Sequence, residues 1–106
     1  MNLSVHWTGL DANQDMRAHL ERRLAFALGR FGDEIGEIRA RLADMNGPRG
    51  GVDKQVKLIV RGRRLAARLV VAADTSMFAA IDRATDRIQL AVARALDQRH
   101  EHYRHR

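Results

Sequence analysis

The chain has 106 residues, with 19 Lys and Arg against 13 Asp and Glu, a formal charge of +6 and an ordinary apolar fraction of 45%. This length suits one domain with its own core, and this composition excludes wholesale disorder. The sequence has no cysteine, which excludes a disulfide framework and a thiolate metal site.

The amino-terminal part predicts a strand followed by a helix. Apolar and polar residues alternate over residues 2–8, "NLSVHWT", which indicates a half-buried strand. Asn13 is placed as a helix N-cap, and Asp15 would lie in the first turn. Apolar residues then recur every three or four positions over 16–31, and Gly32 stands where this amphipathic helix would end.

Apolar and polar residues again alternate after the helix, which indicates three further strands. Alternation covers residues 35–43, 55–61 and 64–71, and the polar break "RGRR" offers Gly62 for a positive φ. In the last of these strands the predicted inward residues are Leu65, Ala67, Leu69 and Val71.

The carboxyl-terminal part predicts a long helix. Asp74, Thr75 or Ser76 would cap it, and its apolar stripe extends to about residue 100. The predicted fold is therefore α+β, in the order β-α-β-β-β-α, with a four-stranded sheet, its first two strands parallel, and two helices packed on one face. We expect one domain over residues 1–99 and a basic, His- and Arg-rich tail over 100–106.

The central loop "NGPRGGVDK", residues 46–54, invites comparison with a phosphate-binding loop. Its spacing from Gly47 to Gly51 is wrong for a P-loop, Lys54 is not followed by Ser or Thr, and a strand comes next where a helix is needed. The loop is predicted to be a turn between strands, with Arg49 and Lys54 as secondary contacts to phosphate.

No catalytic constellation is present. Ser4 and Ser76 lack a nucleophile-elbow motif, and the steps between His100, His102 and His105 scatter them around a helix. We therefore expect no enzyme, no metal, no cofactor and no small-molecule substrate. No apolar run approaches about 18 residues and no signal-peptide pattern opens the chain, which predicts a cytoplasmic protein without a membrane partner.

The charged residues form a pattern. At helical periodicity the last helix has a basic stripe and a separate acidic stripe, formed by Arg83, Arg87 and Arg94 and by Asp82, Asp86 and Asp97. Basic residues also edge the apolar face of the first helix, namely His19, Arg22, Arg23 and Arg30. Outward sheet positions add Arg39, Arg41, Lys57, Arg61, Arg64 and Arg68.

These stripes favour a nucleic-acid partner, because the arginine fork suits phosphate and all but two of the nineteen cations are arginine. Few aromatic residues are available for base stacking, which favours backbone and shape recognition of structured RNA. Phe26 near Arg22 either stacks on a base or packs under a loop. The alternative to RNA binding is that these charges only face solvent. The protein would then be a protein-interaction module that modulates a transcription or translation factor through its open sheet face.

Two motifs carry a family resemblance. "DTSMFAAIDRATDRI", residues 74–88, resembles the acidic, aromatic and Ala-Ile-Asp pattern of the ribosome hibernation-promoting factors, also called ribosome-associated translation inhibitors or sigma modulation proteins. "DMNGPRGGVDK", residues 44–54, resembles a loop of one compact bacterial subgroup. The predicted element order matches that family's fold, which is similar to double-stranded-RNA-binding domains, over essentially the whole chain.

The resemblance implies a stress-related factor of the short form that binds 16S rRNA of the small ribosomal subunit. It would occlude the channel for mRNA and tRNA and inhibit translation. By matching position it points first to Arg83 and Arg87, although Asp82 and Asp86 interrupt the family's basic helix. The full set of expected RNA-binding residues is Arg22, Arg23, Arg30, Arg64, Arg68, Arg83, Arg87 and Arg94.

Overall fold

The predicted order of elements is confirmed. The computed structural model describes residues 2–46 and 50–104, with the side chains of the final helix described up to residue 98. Its elements are β1 (Asn2–Thr8), α1 (Gln14–Leu28), a 3₁₀ helix (Gly29–Glu34), β2 (Glu37–Asp44), β3 (Lys54–Arg61), β4 (Arg68–Asp74) and α2 (Met77–Arg104). This is the α+β fold in the order β-α-β-β-β-α.

The four strands form one sheet in the order β1-β2-β3-β4. β1 and β2 are parallel, as expected for strands joined by a helix, and β2, β3 and β4 form an antiparallel meander. The register places His6 opposite Arg41, Arg41 opposite Lys57, and Lys57 opposite Val71. Since paired residues project to the same side, these four side chains share one face of the sheet.

Both helices cover the other face and form the core with it, as predicted. Leu24 and Leu28 of α1 and Ile81 and Ile88 of α2 pack on the central strands, where Leu58 is fully buried. Burying each such side chain stabilises the fold by about 1.5–3 kcal/mol. The opposite face of the sheet is left to solvent.

The start of α1 is as expected and its end is not. The Asn13 side chain accepts a hydrogen bond from the Met16 N–H at 2.9 Å, which confirms the N-cap. The α-helix stops at Leu28, and a 3₁₀ helix continues the chain to Glu34. Gly32, with φ of 53°, lies inside this segment and allows its kink.

The start of α2 confirms the predicted cap. The Asp74 carboxylate accepts hydrogen bonds from the N–H groups of Thr75 and Ser76, and the Ser76 hydroxyl accepts one from Ala79 N–H at 3.4 Å. The helix continues to Arg104, past the expected end near residue 100. Within the described ranges, no helix has both the length and the apolar composition that a membrane span requires.

The position of β4 corrects the sequence prediction. The strand begins at Arg68, and Leu69 and Val71 lie on the open face, where 56% and 38% of their surface is exposed. Arg68 was predicted to point outward, but it pairs with buried Val60 and therefore lies on the side of the helices. The cause is the turn over residues 62–67, which shifts the alternation by one residue.

Gly62 has a role different from the predicted positive φ, which it does not adopt. It exchanges two backbone hydrogen bonds with Leu65, whose side chain is buried beneath the turn. A Cβ on Gly62 would lie 1.8 Å from the carbonyl oxygen of Glu34. Glycine is required here by the close approach of two backbone segments.

Candidate nucleic-acid interface

Two carboxylates of the acidic stripe of α2, Asp82 and Asp86, face α1 and form ion pairs there. Asp82 Oδ1 lies 2.7 Å from His19 Nε2 and 3.2 Å from Arg23 Nε. Arg23 Nη2 also donates a hydrogen bond to Asp86 Oδ1 at 2.9 Å. The His19 ring meets Phe78 edge-on, with 5.4 Å between ring centroids. Asp82 and Asp86 therefore connect the two helices and are not an isolated acidic patch on the surface.

Arg23, one of the expected RNA-binding residues, is committed to this contact. Its guanidinium lies between two carboxylates, and only about a third of its side chain is exposed. An ion pair of this kind contributes little to stability, on the order of 0.2–1 kcal/mol, but it fixes the direction of the side chain. The structure thus places Arg23 in the contact between α1 and α2 and not among the other predicted arginines.

The basic stripe of α2 lies on the opposite flank, next to the edge strand β4. Arg83 Nε is 3.4 Å from Asp74 Oδ2, and Arg87 donates a hydrogen bond to the carbonyl oxygen of Val71. Arg94 is exposed and forms no ion pair with any residue that the structure describes. These contacts direct the first two guanidinium groups along the border between helix and sheet.

Arg68 joins this group from the strand. It opens β4 on the helix-covered side, and its Nη1 donates to the carbonyl oxygen of Ala67 at 3.2 Å. We define the β4-edge arginine surface by its four cations, Arg68, Arg83, Arg87 and Arg94.

The exposed flank of α1 contributes a smaller group. Arg22 is exposed, and Phe26 has 78% of its surface exposed, so this ring does not pack under a loop. The Arg30 guanidinium stacks 4.7 Å above the Phe31 ring. Both line a cleft of about 330 Å³ that also includes Asp97 of α2.

The remaining expected contacts lie elsewhere. Arg64 is exposed in the turn before β4, where it lines a shallow cleft together with Asp33 and Glu34. Arg49 lies outside the described residues. The eight predicted arginines therefore do not form one continuous patch.

Lys54 has a structural role at the start of β3. Its Nζ lies 2.9 Å from Asp53 Oδ1 and 3.4 Å from Asp44 Oδ1, and Asp53 is almost completely buried. The hydrogen bond to Asp53 is the main cause that raises the pKa of Lys54 above its ordinary value. This lysine compensates buried carboxylate charge, so its availability to phosphate is reduced.

The open face of the sheet is also basic. Glu37, its only described carboxylate, accepts a hydrogen bond from Arg39 at 2.8 Å and lies 3.3 Å from Arg61. The bond from Arg39 is the main cause that lowers the pKa of Glu37. Arg41 and Lys57, directly opposite each other, form no ion pair within the described chain. The sequence predicted these cations to point outward, but their grouping depends on strand register.

The described residues contain no group of three or more His, Asp or Glu that could hold a metal ion. The side chains of His100, His102 and His105 lie outside the described part, so the sequence-based expectation for them stays a prediction.

Comparison with known proteins gives one family and two similar structures. Residues 3–100 match the sequence model of the family described as Sigma 54 modulation protein / S30EA ribosomal protein. The fold is similar to the Thermus thermophilus Protein Y N-terminal domain, with 23% identity and a TM-score of 0.71 over 89% of this chain and 98% of that one. It is also similar to a ribosomal subunit interface protein from Coxiella burnetii, with 18% identity and a TM-score of 0.74 over 89% and 96%. No curated protein matches the sequence.

Proposed function

Because the chain belongs to the Sigma 54 modulation protein / S30EA ribosomal protein family, we propose that it binds 16S rRNA of the small ribosomal subunit through its basic helix surface. The family consists of ribosome-associated modulation proteins and not of enzymes. In this proposal the protein acts in the cytoplasm as a stress or hibernation factor. It occupies the channel for mRNA and tRNA and thereby inhibits translation.

The observation that supports the proposal is the separation of charge on α2. Asp82 and Asp86 turn toward α1, where they contact His19 and Arg23, while Arg83 and Arg87 lie on the other flank. Phosphate groups approaching the β4-edge arginine surface therefore meet several cations, of which Arg83 is paired with the Asp74 carboxylate. Each arginine that replaces a counterion on RNA releases that ion, which favours binding at low salt.

The mechanism is occlusion and involves no chemical step. A folded domain cannot share its volume with mRNA or tRNA, so binding in the channel is sufficient to block it. The contribution of the protein's own residues is to hold the domain there through phosphate contacts.

The test compares two variants that lose equal charge. R83Q/R87Q removes two cations of the β4-edge arginine surface, while R17Q/R63Q removes Arg17, which pairs with Glu21 at 2.9 Å, and the turn residue Arg63. Binding to purified small subunits is measured by co-sedimentation over a range of salt concentrations. We expect R83Q/R87Q to bind more weakly and to lower the slope of log K against log salt by about two, roughly one for each phosphate contact.

The matched variant, R17Q/R63Q, should give the same slope of log K against log salt as the unmodified protein. Thermal melts establish that both variants are folded. If folded R83Q/R87Q binds like R17Q/R63Q, the assignment of the β4-edge arginine surface is wrong.

A protein partner at the open sheet face is the second candidate, and the exposure of Leu69 and Val71 there favours it. Such binding would depend weakly on salt and would not require ribosomes. Ribosome profiles probed for the protein discriminate the two, because only the first candidate predicts salt-sensitive co-migration with small subunits.

A further inference from the structure

We propose that the open face of the sheet holds a second phosphate-binding site, centred on a row formed by His6, Arg41 and Lys57. This site would contact an RNA segment separate from the one that the helices contact. The inference rests on the proposed function, because it takes structured RNA as the partner.

The row follows from the register of the three strands. His6 of β1 lies opposite Arg41 of β2, which lies opposite Lys57 of β3. Neighbouring strands are about 4.8 Å apart, so three side chains project in parallel across roughly 10 Å. All three point to the solvent-facing side, which neither of the described helices α1 and α2 covers.

This row has no compensating carboxylate in the described structure. Like charges placed directly opposite each other in a sheet destabilise it, yet Arg41 and Lys57 are so placed and form no ion pair. The adjacent row on the side away from Glu37 is neutral, formed by Thr8, Ala43, Gln55 and Ala73. Glu37 itself lies two residues beyond Arg39 and is already engaged by Arg39 and Arg61. An anion bound from solvent would relieve this repulsion.

The surface around the row has a shape and polarity that suit a phosphodiester chain. His6, Arg41 and Lys57 line a half-open depression of about 180 Å³ together with Arg39, Ala40 and Ile59. Ile59 pairs with exposed Leu69 on β4, so an apolar strip borders the cations. Phosphates would bind the cations, while sugars or bases would rest against this strip.

The placement of the two basic surfaces has a further consequence. The β4-edge arginine surface lies on the helix side of the sheet and the row lies on the opposite side. A single phosphate cannot contact both, so the domain would be held between two RNA segments. Charge on both sides favours RNA over an acidic protein as the occupant of the open face.

The test uses R41Q/K57Q beside the two variants introduced above. Without RNA, this variant should melt at the same temperature as the unmodified protein or higher, because it removes a repulsion. With small subunits, its slope of log K against log salt should be lower by about two, whereas R17Q/R63Q should keep the full slope. A slope equal to that of R17Q/R63Q overturns the inference.

The nature of the occupant is tested by photocrosslinking. Exposed Leu69 is replaced by p-benzoylphenylalanine, and the complex with small subunits is irradiated and treated with ribonuclease. A crosslinked product that ribonuclease shortens supports RNA at this face. A crosslink to a protein, which ribonuclease leaves unchanged, overturns the inference in favour of a protein partner.

The two proposals fail separately. If R41Q/K57Q weakens binding and R83Q/R87Q does not, the open-face site stands and the helix surface is wrong. If only R83Q/R87Q weakens binding, the proposed function stands and the second site is overturned. If neither variant differs from R17Q/R63Q, both are overturned.

Discussion

Two glycine residues of this chain, Gly62 and Gly29, differ in whether their surroundings require glycine. Gly62 lies where the turn before β4 touches the backbone near Glu34, and no Cβ fits between them. Gly29 has helical backbone angles, φ of −57° and ψ of −36°, and a Cβ there would meet nothing within 4 Å. The first glycine is required by tertiary contact, whereas the second is not required by its surroundings.

Replacing these two glycines by alanine should therefore change stability in opposite directions. Gly62→Ala forces two backbone segments apart and should lower the free energy of unfolding by about 1–3 kcal/mol or more. Gly29→Ala should raise it by about 0.4–1 kcal/mol, because alanine restricts the unfolded chain. Urea denaturation measures both values, and a Gly62→Ala variant as stable as the unmodified protein would contradict the close approach.

Helix α2 is preceded by a turn that the Asp74 carboxylate holds. The Asp74 carboxylate accepts hydrogen bonds from Ser76 N–H and Thr75 N–H and lies near the Arg83 guanidinium. The bond from Ser76 is the largest cause that lowers the pKa of Asp74 below its ordinary value of 3.8, and partial burial opposes it. The same carboxylate thus holds the turn that leads into the helix and directs a residue of the β4-edge arginine surface.

Asp74→Ala should lower the melting temperature at neutral pH, because the first N–H groups of the turn lose their acceptor. A carboxyl whose pKa is depressed in the folded state contributes stability above its unfolded pKa and loses it as the pH falls through the folded value. The difference in melting temperature between the unmodified protein and Asp74→Ala should therefore shrink as the pH falls below about 3.8. Melts recorded between neutral pH and pH 2 check this, and a constant difference would contradict it.

The sheet separates two basic surfaces of different construction. On the helix side, Arg83 and Arg87 are held by Asp74 and by the carbonyl oxygen of Val71, which fixes the direction of their side chains. On the open side, Arg41 and Lys57 are held by strand register and not by counter-charges. Charge on both sides of the sheet agrees with the proposed binding between two RNA segments.

If the protein occludes the channel for mRNA and tRNA, as proposed, it should compete with both for binding to the small subunit. Increasing amounts of the protein should reduce the binding of initiator tRNA and template mRNA to small subunits, and the effect should weaken at high salt together with the binding of the protein. Filter binding with labelled tRNA measures this. Tight binding of the protein that leaves tRNA and mRNA in place would contradict occlusion while leaving ribosome association intact.

The elements and their caps could be predicted because they depend on local periodicity. Asn13 caps α1, Ser76 caps α2 and Asp74 holds the turn before α2, each through bonds to residues at most three positions away. The separation of acidic and basic stripes on α2 follows from helical geometry for the same reason. The face of β4 could not be predicted, because the six-residue turn over 62–67 changes which residues of the strand point inward.

The order of elements, the amphipathic helices and the sign of each stripe follow from the sequence, since each depends on neighbours within a few residues. Which charges are compensated depends on tertiary contacts. Arg23 meets Asp82 and Asp86 because two helices pack side by side, and 63 residues separate Arg23 from Asp86 in the chain. Arg41 meets Lys57 because the hairpin sets the strand register. Charge compensation depends on distances of a few ångström in space, which the packing of distant segments establishes.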